Sequence, residues 1–591
     1  MYLKQSKYAN GEIFLSIMEK FRDKDGKVRE RTYKSIGYLK DLEKQYEDPI
    51  AHFKQVAAEA TVIEKNNRTE KISIDMSEVM EPGTDDVKNV GYGILKELYK
   101  ELQIDKFWNW KTRGGKAEYS VDQIFRLLVF SRALFPASKR ATLNISDTYF
   151  EPFEEVTLDD VYHCLDIIAR NKDALQKWIF EKTQNIFKHN MSVTYFDCTN
   201  YYFDIGTPDI DVPGEAVKYR KRGPEKNHRP DPIVEMGLLL DGNGFPIAYD
   251  LFPGNESEKI HMRPIIKRVK EEYTDNRIII VADRGLNTSD NIYWINGDNK
   301  GKKNQRDGYV YGQSVRGASD EFKKWLLEQD GYKTDHFNND NGEIIAFKHK
   351  SRITPRKINV NVTRKDGTKG KKNVTIDQKQ MVYYSEKYAK KQKTDRDIMV
   401  ARAKDLIAHP KKYDRVTCAG SAAYICNIAF DKNTGEVVDG RNLYIDTEKI
   451  LEEEKCDGYY SIVTSELNLT DIELRNIYRG LNRIEDTFKV TKTFFKARPV
   501  YVWLNEHIDA HFAVCFVTLV LIRLLEMKLG EKYPVGQIIN SLIKYNCVNI
   551  QTNLWKFVYY DDILKSCGEA LHMDLDKSYR RTKDVQRLLK Y

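Results

Sequence analysis

The sequence lacks the paired cysteines and long apolar segments that mark several classes of protein. Its eight cysteines are scattered and none forms a CxxC pair, which argues against a zinc ribbon or a dithiol redox motif. Scattered cysteines in a large chain are typical of reduced, intracellular thiols. The N-terminal residues contain no apolar signal core. The longest largely apolar run, 512–522, is too short for a bilayer and closes at Arg523, so we expect a buried helix in a soluble, cytoplasmic protein with no membrane partner.

The chain is too long for one hydrophobic core, so its 591 residues predict several domains. The net charge of +8 is small for this length, and only local clustering of Lys and Arg can indicate a partner. Aromatic residues are abundant, with 36 Tyr and 25 Phe. Aromatic rings interleaved with Lys and Arg suit nucleic acid, since rings stack on bases and cations meet phosphates, but they suit ordinary cores as well.

One stretch, 472–500, predicts a single helix that ends before Pro499. Residues spaced alternately by four and three form one stripe on that helix: Leu474, Tyr478, Leu481, Glu485, Phe488 and Lys492. Four of the six are apolar or aromatic, so the stripe faces a packed surface. An ionised Glu485 in its middle costs free energy unless a cation meets it. Glu485 is therefore a rim residue, a partner of Lys492, or a metal ligand if other carboxylates join it.

The N-terminal 65 residues predict a β-hairpin followed by a helix. Residues 13–17 alternate, a turn follows at 25–26, and 28–33 form the returning strand. The hairpin carries several Lys and Arg, which fit either a solvated face or a small DNA-contacting module. The helix begins at Pro49, with Asp48 as its N-cap.

The next stretch, 66–190, predicts a polar linker and then a helical domain. Pro82-Gly83 marks the linker, and apolar residues recur at helical spacing from 91 onwards. Ser138 is a candidate N-cap for a helix that opens with Lys and Arg, a combination that suits phosphate. A domain that binds DNA ends and a purely structural domain both fit this pattern.

Two predicted strands end in aspartate. Residues 193–197 end in Asp197, and the fully apolar, hence central, strand 278–282 ends in Asp283. Between them we expect two strands joined by a tight turn at 241–244, and an amphipathic helix at 261–273. The basic loop 218–229 lies between two of these strands. It is either solvated or phosphate-binding, and it includes Arg222, Lys226 and Arg229.

The interval between Asp283 and Glu485 is too wide for one loop, so 318–455 must be an inserted element. It has a strongly basic part at 348–372 with β-like alternation, a basic helix at about 385–407, and further β-like segments at 416–430 and 437–445. Three acids from two strand ends and a helix suit Mg²⁺, which prefers oxygen ligands, and two such ions can support phosphoryl transfer. Spacing alone leaves open whether the three acids meet.

The chain resembles the DDE transposases of bacterial insertion sequences, in the ribonuclease H-like superfamily, and within them the IS-four-like branch with a Tyr-x2-Arg-x3-Glu-x6-Lys signature. Tyr478, Glu485 and Lys492 stand at the signature spacing. TYFDCTN and IIIVADRGLNTSDNI, around the two aspartates, are also similar to this family, as are LFPGNESE and HIDAHFAVCFVTLVLIRLLE.

The resemblance implies an α/β fold: a ribonuclease H-like catalytic domain, interrupted by a β-rich insertion and preceded by a β-hairpin module and a helical domain. It implies Asp197, Asp283 and Glu485 as ligands of two Mg²⁺ ions, for which Mn²⁺ substitutes. It implies DNA contacts by Tyr478 and Lys492, to which we add Arg284 and the basic loop. The partners expected are double-stranded DNA, both terminal inverted repeats and target, and a second copy of the chain on paired ends, in the bacterial cytoplasm or on the nucleoid.

One position departs from the signature, because its Arg falls on Leu481. Arg479 and Arg483 each lie about 200° round the helix from Leu481, so neither replaces that Arg simply. In the family the Arg helps to hold a hairpinned or flipped DNA end, so a hairpin intermediate is in doubt.

We therefore predict a transposase that binds and cleaves the ends of its insertion sequence and joins the 3′-OH ends to target DNA. Alternatives are a metal-dependent nuclease without strand transfer, a non-catalytic DNA-binding protein derived from a transposase, and RNA binding by the basic loops. The predicted domains are the hairpin module 1–65, the helical domain 66–190, the catalytic domain 191–317 and 456–527, the insertion 318–455, and a C-terminal helical region 528–591.

Overall fold

The computed structural model describes the chain except residues 10, 23–27, 67–76, 78, 80–81, 84–85, 116, 154, 225–230, 275, 298–305, 339–343, 364–366, 415–416, 419, 431–435, 439–441 and 591. The chain divides into two compact units, Met1–Thr84 and Asp85–Tyr591. Each unit is described by itself.

The N-terminal unit is a three-stranded antiparallel sheet with two helices. Its elements are β1 (Tyr2–Lys7), β2 (Ile13–Arg22), β3 (Val28–Tyr38), α1 (Leu39–Leu42) and α2 (Pro49–Asn66), and the strand order is β1-β2-β3. Leu15, Leu42 and Phe53 form its small core. The predicted hairpin and helix are confirmed, and the Asp48 carboxylate accepts a 2.9 Å hydrogen bond from the Ala51 amide as the N-cap. The predicted turn at 25–26 lies outside the described residues.

The second unit begins with a short strand and six helices: β4 (Val87–Asn89), α3 (Tyr92–Glu101), α4 (Ile104–Lys111), α5 (Val121–Leu134), α6 (Lys139–Asn144), α7 (Leu158–Arg170) and α8 (Lys172–Ile186). The predicted helical character is confirmed. Ser138 caps α6, because its hydroxyl accepts a 3.2 Å hydrogen bond from the Ala141 amide. The Lys139 side chain is 5% exposed, so this cation is buried within the protein.

A nine-stranded sheet organises the rest of the second unit. Its strands are β5 (Val193–Tyr202), β6 (Ile233–Asp241), β7 (Pro246–Pro253), β8 (Ile279–Ala282), β9 (Gly308–Gln313), β10 (Lys333–Asn338), β11 (Ile344–Thr363), β12 (Lys369–Tyr384) and, after two short strands β13 (Ile425–Cys426) and β14 (Tyr444–Ile445), β15 (Tyr459–Thr464). Their order is β10-β11-β12-β15-β9-β8-β5-β6-β7. The described protein is thus mixed α/β, as predicted.

The strands of the predicted insertion continue this sheet. β12 pairs with β15 and β15 pairs with β9, so β10, β11 and β12 extend the sheet that contains β5 and β8. The predicted basic helix is present, as α12 below. The expected strands at 416–430 and 437–445 are reduced, among the residues that the structure describes, to the two-residue β13 and β14 and isolated bridges.

Helices cover both faces of the sheet and complete the unit. They are α9 (Glu258–Glu272), α10 (Ser289–Ile292), α11 (Asp320–Leu327), α12 (Glu386–Ala408), α13 (Thr447–Lys455), α14 (Asp471–Arg479), α15 (Asn482–Thr493), α16 (Asn505–Lys528), α17 (Val535–Lys544), α18 (Asp562–Leu571) and α19 (Thr582–Leu588). The C-terminal region also contains β16 (Asn546–Gln551), β17 (Leu554–Phe557) and β18 (Tyr579–Arg581), which with β4 form a sheet of order β18-β17-β16-β4.

Helix α16 is the central packing element. It packs against α3, α5, α7 and β7, and it includes the predicted buried run 512–522. Of the helices in the described part of the chain, it alone is long and apolar enough to cross a membrane, and 89% of its most apolar window is buried inside the protein. Its apolar character on all sides is therefore explained by protein contacts.

The prediction of one continuous helix over 472–498 is wrong. The structure has two helices, α14 and α15, separated at Gly480 and Leu481, and α15 ends at Thr493. Gly480 is pressed against the Tyr195 ring, where an added Cβ would lie 2.0 Å from the phenol oxygen. Beyond α15 the chain turns to run beside β5, and the Val500 amide donates a 2.9 Å hydrogen bond to the Tyr202 carbonyl. Contacts with β5 therefore decide where the helical segment breaks and ends.

Candidate nucleic-acid cleavage site

The two aspartates lie at the same level of neighbouring strands, but only Asp283 follows the end of a strand. The prediction that the first strand ends at Asp197 is wrong, because β5 continues to Tyr202 and pairs with β6 along almost its whole length. β5 and β8 are parallel, with Val193 opposite Ile279 and Tyr195 opposite Val281. Asp197 and Asp283 each follow two residues later, so the same register sets them side by side. Alternate residues of a strand share a face, which places both aspartates on the face that Tyr195 occupies. Asp283 is exposed and Asp197 partly buried, so the pair borders solvent.

Helix α15 lies over this face of β5. At one end Gly480 contacts the Tyr195 ring, and at the other the Lys492 ammonium donates a hydrogen bond to the Thr199 hydroxyl. Asp197 lies on the strand between Tyr195 and Thr199. The segment from Gly480 to Lys492 therefore crosses the sheet above the aspartate pair.

Glu485 lies on this segment, seven residues before Lys492. Seven residues are nearly two helical turns, so both side chains leave α15 on the same side. Glu485 is exposed, and it makes no hydrogen bond or ion pair with any residue that the structure describes. The Lys492 ammonium also lies 5.4 Å from the Tyr201 ring centroid. The Glu485 carboxylate is therefore exposed to solvent, and its side chain leaves α15 on the same side as Lys492, which reaches β5.

Tyr478, on the preceding helix α14, contacts the second aspartate. Its hydroxyl lies close enough to the Asp283 carboxylate for the negative charge of that carboxylate to act on it. Burial and the negative charge of Asp283 raise the pKa of Tyr478 well above its ordinary value, so the phenol stays protonated and remains a donor. The phenol oxygen also lies over β9, 2.5 Å from where a Cβ on Gly312 would stand. Gly312 therefore leaves the room that Tyr478 needs to reach Asp283.

The start of α14 is fixed by the inserted strands. The Asp471 carboxylate contacts His349 Nδ1 of β11 at 2.7 Å and Lys379 Nζ of β12 at 2.8 Å. Asp471 is only 11% exposed, and the hydrogen bonds that it accepts lower its pKa although burial acts in the opposite direction. The inserted strands thereby help to position the helix that carries Tyr478.

The described residues supply only part of a metal-binding site. The Asp197 and Asp283 carboxylates lie on adjacent strands, and paired carboxylates at one edge are suitable oxygen ligands for Mg²⁺. Across the described ranges, however, no three His, Cys, Asp or Glu side chains lie close enough together to hold a metal ion. The backbone therefore brings the third acid to the correct side without bringing its carboxylate into a closed cluster.

The remaining predicted DNA contacts are less well defined. Arg284 follows Asp283 and is exposed. The exposed Arg222 donates a 2.7 Å hydrogen bond to the Gly206 carbonyl. Lys226 and Arg229 lie outside the described residues. Leu481, at the position of the signature Arg, is 6% exposed and belongs to the main core.

Two residues of this site were missed by sequence reasoning. Thr199 accepts the hydrogen bond from Lys492. It could have been recognised from the sequence because it lies two residues after Asp197, on the same face of the strand. Gly480 permits the close contact with Tyr195. It could have been recognised from the sequence because a glycine inside a helical pattern often marks close packing.

Residues 3–70 match a family model described as IS1634 family transposase, N-terminal domain. Among curated proteins, none matches the chain. The family match covers only the N-terminal part of the chain, and it supports an insertion-sequence transposase, an enzyme class that acts on DNA. It leaves the acids of the second unit to be judged by their geometry.

Proposed function

We propose that the chain is a DDE-type transposase that cuts DNA at the ends of its insertion sequence and joins the freed 3′ ends to target DNA. The observation that carries the proposal is the register of β5 and β8, which sets Asp197 beside Asp283 under the helix that bears Glu485. The N-terminal family match independently supports an insertion-sequence transposase, because it involves none of these residues.

The order of five strands supports the ribonuclease H-like expectation. β5, β6 and β7 form an antiparallel series, and β8 and β9 follow on the other side of β5, with β8 parallel to both β5 and β9. In this sheet the C-terminal end of β8 lies beside the middle of β5, and the two aspartates lie there.

The proposed roles follow from these positions. Asp197 and Asp283 would hold a divalent ion, with Glu485 as a third ligand after a side-chain movement towards the strands. Bound Mg²⁺ supplies charge neutralisation and a more acidic water in phosphodiester cleavage. Tyr478, whose protonated phenol faces Asp283, would help to orient that carboxylate. Lys492, Arg284 and Arg222 would contact DNA phosphates, which charged donors bind strongly.

The two proposed steps are both displacements at phosphorus. In the first, a water oxygen bonds to phosphorus, the bond to the 3′ oxygen breaks, and that oxygen takes up a proton. In the second, the freed 3′ oxygen loses its proton, bonds to a phosphorus of the target strand and displaces the target's own 3′ oxygen. The protein mainly positions the reactants. A second copy of the chain would hold the other DNA end.

The test compares Glu485→Gln with Asp486→Asn, the neighbouring acid, which pairs with Arg523 instead. The substrate is a plasmid that carries the genomic DNA flanking the coding sequence, with Mg²⁺ or Mn²⁺ added. We expect Glu485→Gln to abolish cleavage while DNA binding remains, and Asp486→Asn to cleave like the wild type. Metal-dependent cleavage by Glu485→Gln would refute the assignment.

A nuclease without strand transfer is the second candidate, because the same acids would serve both reactions. Joining of the cut 3′ ends to a second plasmid supports the transposase, and cleavage without joining supports the nuclease. A metal titration with no cleavage at any concentration would leave a DNA-binding protein, an outcome consistent with the open arrangement of the three acids.

A further inference from the structure

The strands β11 and β12 form a long two-stranded ribbon that projects beyond its neighbours. β10 pairs with β11 only over residues 344–349, and β15 pairs with β12 only over 379–384. From 354 to 363 and from 369 to 378 the two strands pair only with each other. Ten residues of strand extend about 33 Å. We call this part the β11–β12 ribbon.

One face of the ribbon is packed. Ile358 and Val360 of β11 are 2% and 1% exposed, and Ile376 of β12 is 8% exposed. They belong to the same apolar cluster as Ile292 and Ile295. The ribbon is thus held against the protein by alternate residues, which presents the other alternate residues to solvent.

The opposite face is polar and basic. Three cross-strand pairs follow one another along it: Lys357 with Thr375, Asn359 with Asn373, and Asn361 with Lys371. All six residues are exposed, and Lys369 adds a further cation near the tip. The Asn361 side chain hydrogen-bonds to Asp290. Four other side chains on this face have no hydrogen-bonding or charged partner in the described part of the chain: Lys357, Asn359, Lys371 and Asn373.

This polar face is continuous with the face that carries the aspartate pair. Directly opposed residues of neighbouring strands point to the same side of a sheet. Met381 lies on the same side of β12 as Lys371, and it is paired with Ile462 of β15. Ile462 is in turn paired with Gly312 of β9, which lies under Tyr478. On the neighbouring strands Val310 opposes Val281, which opposes Tyr195. The ribbon and the aspartate pair therefore lie on the same side of the sheet, and the strands between them are covered on that side by α14, which packs on β8, β9 and β11.

We propose that the β11–β12 ribbon binds duplex DNA in its major groove, with Lys357 and Lys371 on phosphates and Asn359 and Asn373 on base edges. The major groove of B-DNA admits a two-stranded ribbon, and Asn is one of the side chains that read adenine there. The positive charge of the ribbon complements the phosphates. This inference rests on the proposed function, and it adds the element that recognises DNA away from the point of cleavage.

The test measures DNA binding without cleavage, by titrating a mixed-sequence duplex of about three helical turns at several salt concentrations. The Lys357→Ala/Lys371→Ala variant should bind more weakly, and its slope of log affinity against log salt should fall by about 2, since each phosphate contact contributes about 0.9. The matched control is Lys259→Ala/Lys267→Ala on α9, whose apolar residues pack on the opposite face of the sheet. This control should keep the wild-type slope.

The second variant, Asn359→Ala/Asn373→Ala, tests whether the ribbon contacts base edges in the major groove. Dimethyl sulfate methylates guanine N7 in the major groove, and wild-type protein on a selected high-affinity duplex should protect specific guanines. The Asn variant should keep the wild-type salt slope and lose protection at those guanines. Exposed substitutions of this kind have little effect on stability, so thermal unfolding should show that all variants fold.

An unchanged salt slope for the Lys variant, or unchanged N7 protection with the Asn variant, would overturn the ribbon proposal. Either result leaves the proposed function standing if the wild type cleaves and Glu485→Gln does not. Conversely, cleavage by Glu485→Gln refutes the catalytic assignment whatever the ribbon variants do, so the two failures are distinguishable.

Discussion

The Tyr478 hydroxyl on α14 faces the Asp283 carboxylate at the end of β8, and burial together with the charge of Asp283 raises the pKa of the phenol. The two residues are far apart in sequence, and their contact depends on Gly312, which leaves space for the phenol. Because the pKa of Tyr478 is raised, the phenol remains a donor throughout the pH range in which the protein works. A protonated phenol is thus available to Asp283 before any ligand binds.

Replacing Tyr478 with Phe tests this positioning role. Partners that orient a metal ligand typically change metal affinity or activity by about 10–100-fold when they are removed. We expect the Mg²⁺ concentration for half-maximal cleavage to rise within that range, with a loss of stability of about 1 kcal/mol. A magnesium titration of plasmid cleavage measures the first and thermal unfolding the second. An unchanged magnesium midpoint would show that the phenol does not act on Asp283 as a metal ligand.

Substitution of Gly480 by Ala should destabilise the second unit. The new Cβ would lie 2.0 Å from the Tyr195 phenol oxygen and 2.3 Å from its ring carbon, so α15 must move away from β5. Overpacking of this kind costs about 1–3 kcal/mol. Denaturant unfolding measures the loss, and the additional change Tyr195→Leu should recover part of it by removing the ring. Full stability of Gly480→Ala would contradict the close approach.

Restoring the signature Arg at Leu481 should fail. The Leu481 side chain is 6% exposed in an apolar cluster, so an Arg there would bury an unpaired charge and cost several kcal/mol. We expect Leu481→Arg to fold poorly, and Leu481→Met to cost less than about 1.5 kcal/mol. Thermal unfolding compares the two variants. A stable Leu481→Arg would mean that the position opens to the DNA-binding side.

The buried Lys139 predicts a dependence of stability on pH. Burial lowers its pKa from 10.5 to about 7, and the nearby Arg132 acts in the same direction, while Cys164 and Cys515 oppose it. The Lys139 charge in turn helps to lower the pKa of His511. Between pH 7 and 10.5 the unfolded chain holds the Lys139 proton more often than the folded chain does. Stability therefore rises with pH across that window, by at most about 1.4 kcal/mol per unit.

The variant Lys139→Met should remove that contribution. We expect it to be more stable than the wild type near pH 7, with the difference shrinking as pH rises. Lys106→Met, at an exposed position of α4, is the control and should run parallel to the wild type. Urea unfolding at a series of pH values measures the slopes. A constant difference between Lys139→Met and the wild type would rule out the predicted titration.

Much of the local structure could be predicted because it depends on neighbouring residues. The hairpin period of the N-terminal unit, the Asp48 and Ser138 caps and the apolar strand before Asp283 all have local physical causes. The buried run of α16 could also be predicted, since a helix that is apolar on all sides must be covered by other parts of the protein. The resemblance of the acidic motifs added the chemistry that these patterns alone left open.

The arrangement of the site could not be predicted in the same way. Register between β5 and β8 is set by pairing across a gap of many residues, and a shift by one residue would turn every side chain of a strand to the other face. The break at Gly480 depends on the Tyr195 ring, which lies on another strand. The inserted strands join the same sheet, although their sequence alone suggested a separate domain.

The sequence by itself determined which residues can do the proposed chemistry: two aspartates in or after predicted strands, a glutamate on a helical stripe, and their basic neighbours. Local periodicity and turn chemistry determined the elements that bear them. Only the tertiary structure decided that Asp197 and Asp283 stand side by side, that Tyr478 faces Asp283, and that Leu481 is part of the core. These relationships depend on strand register and on packing between distant segments, which no local pattern encodes.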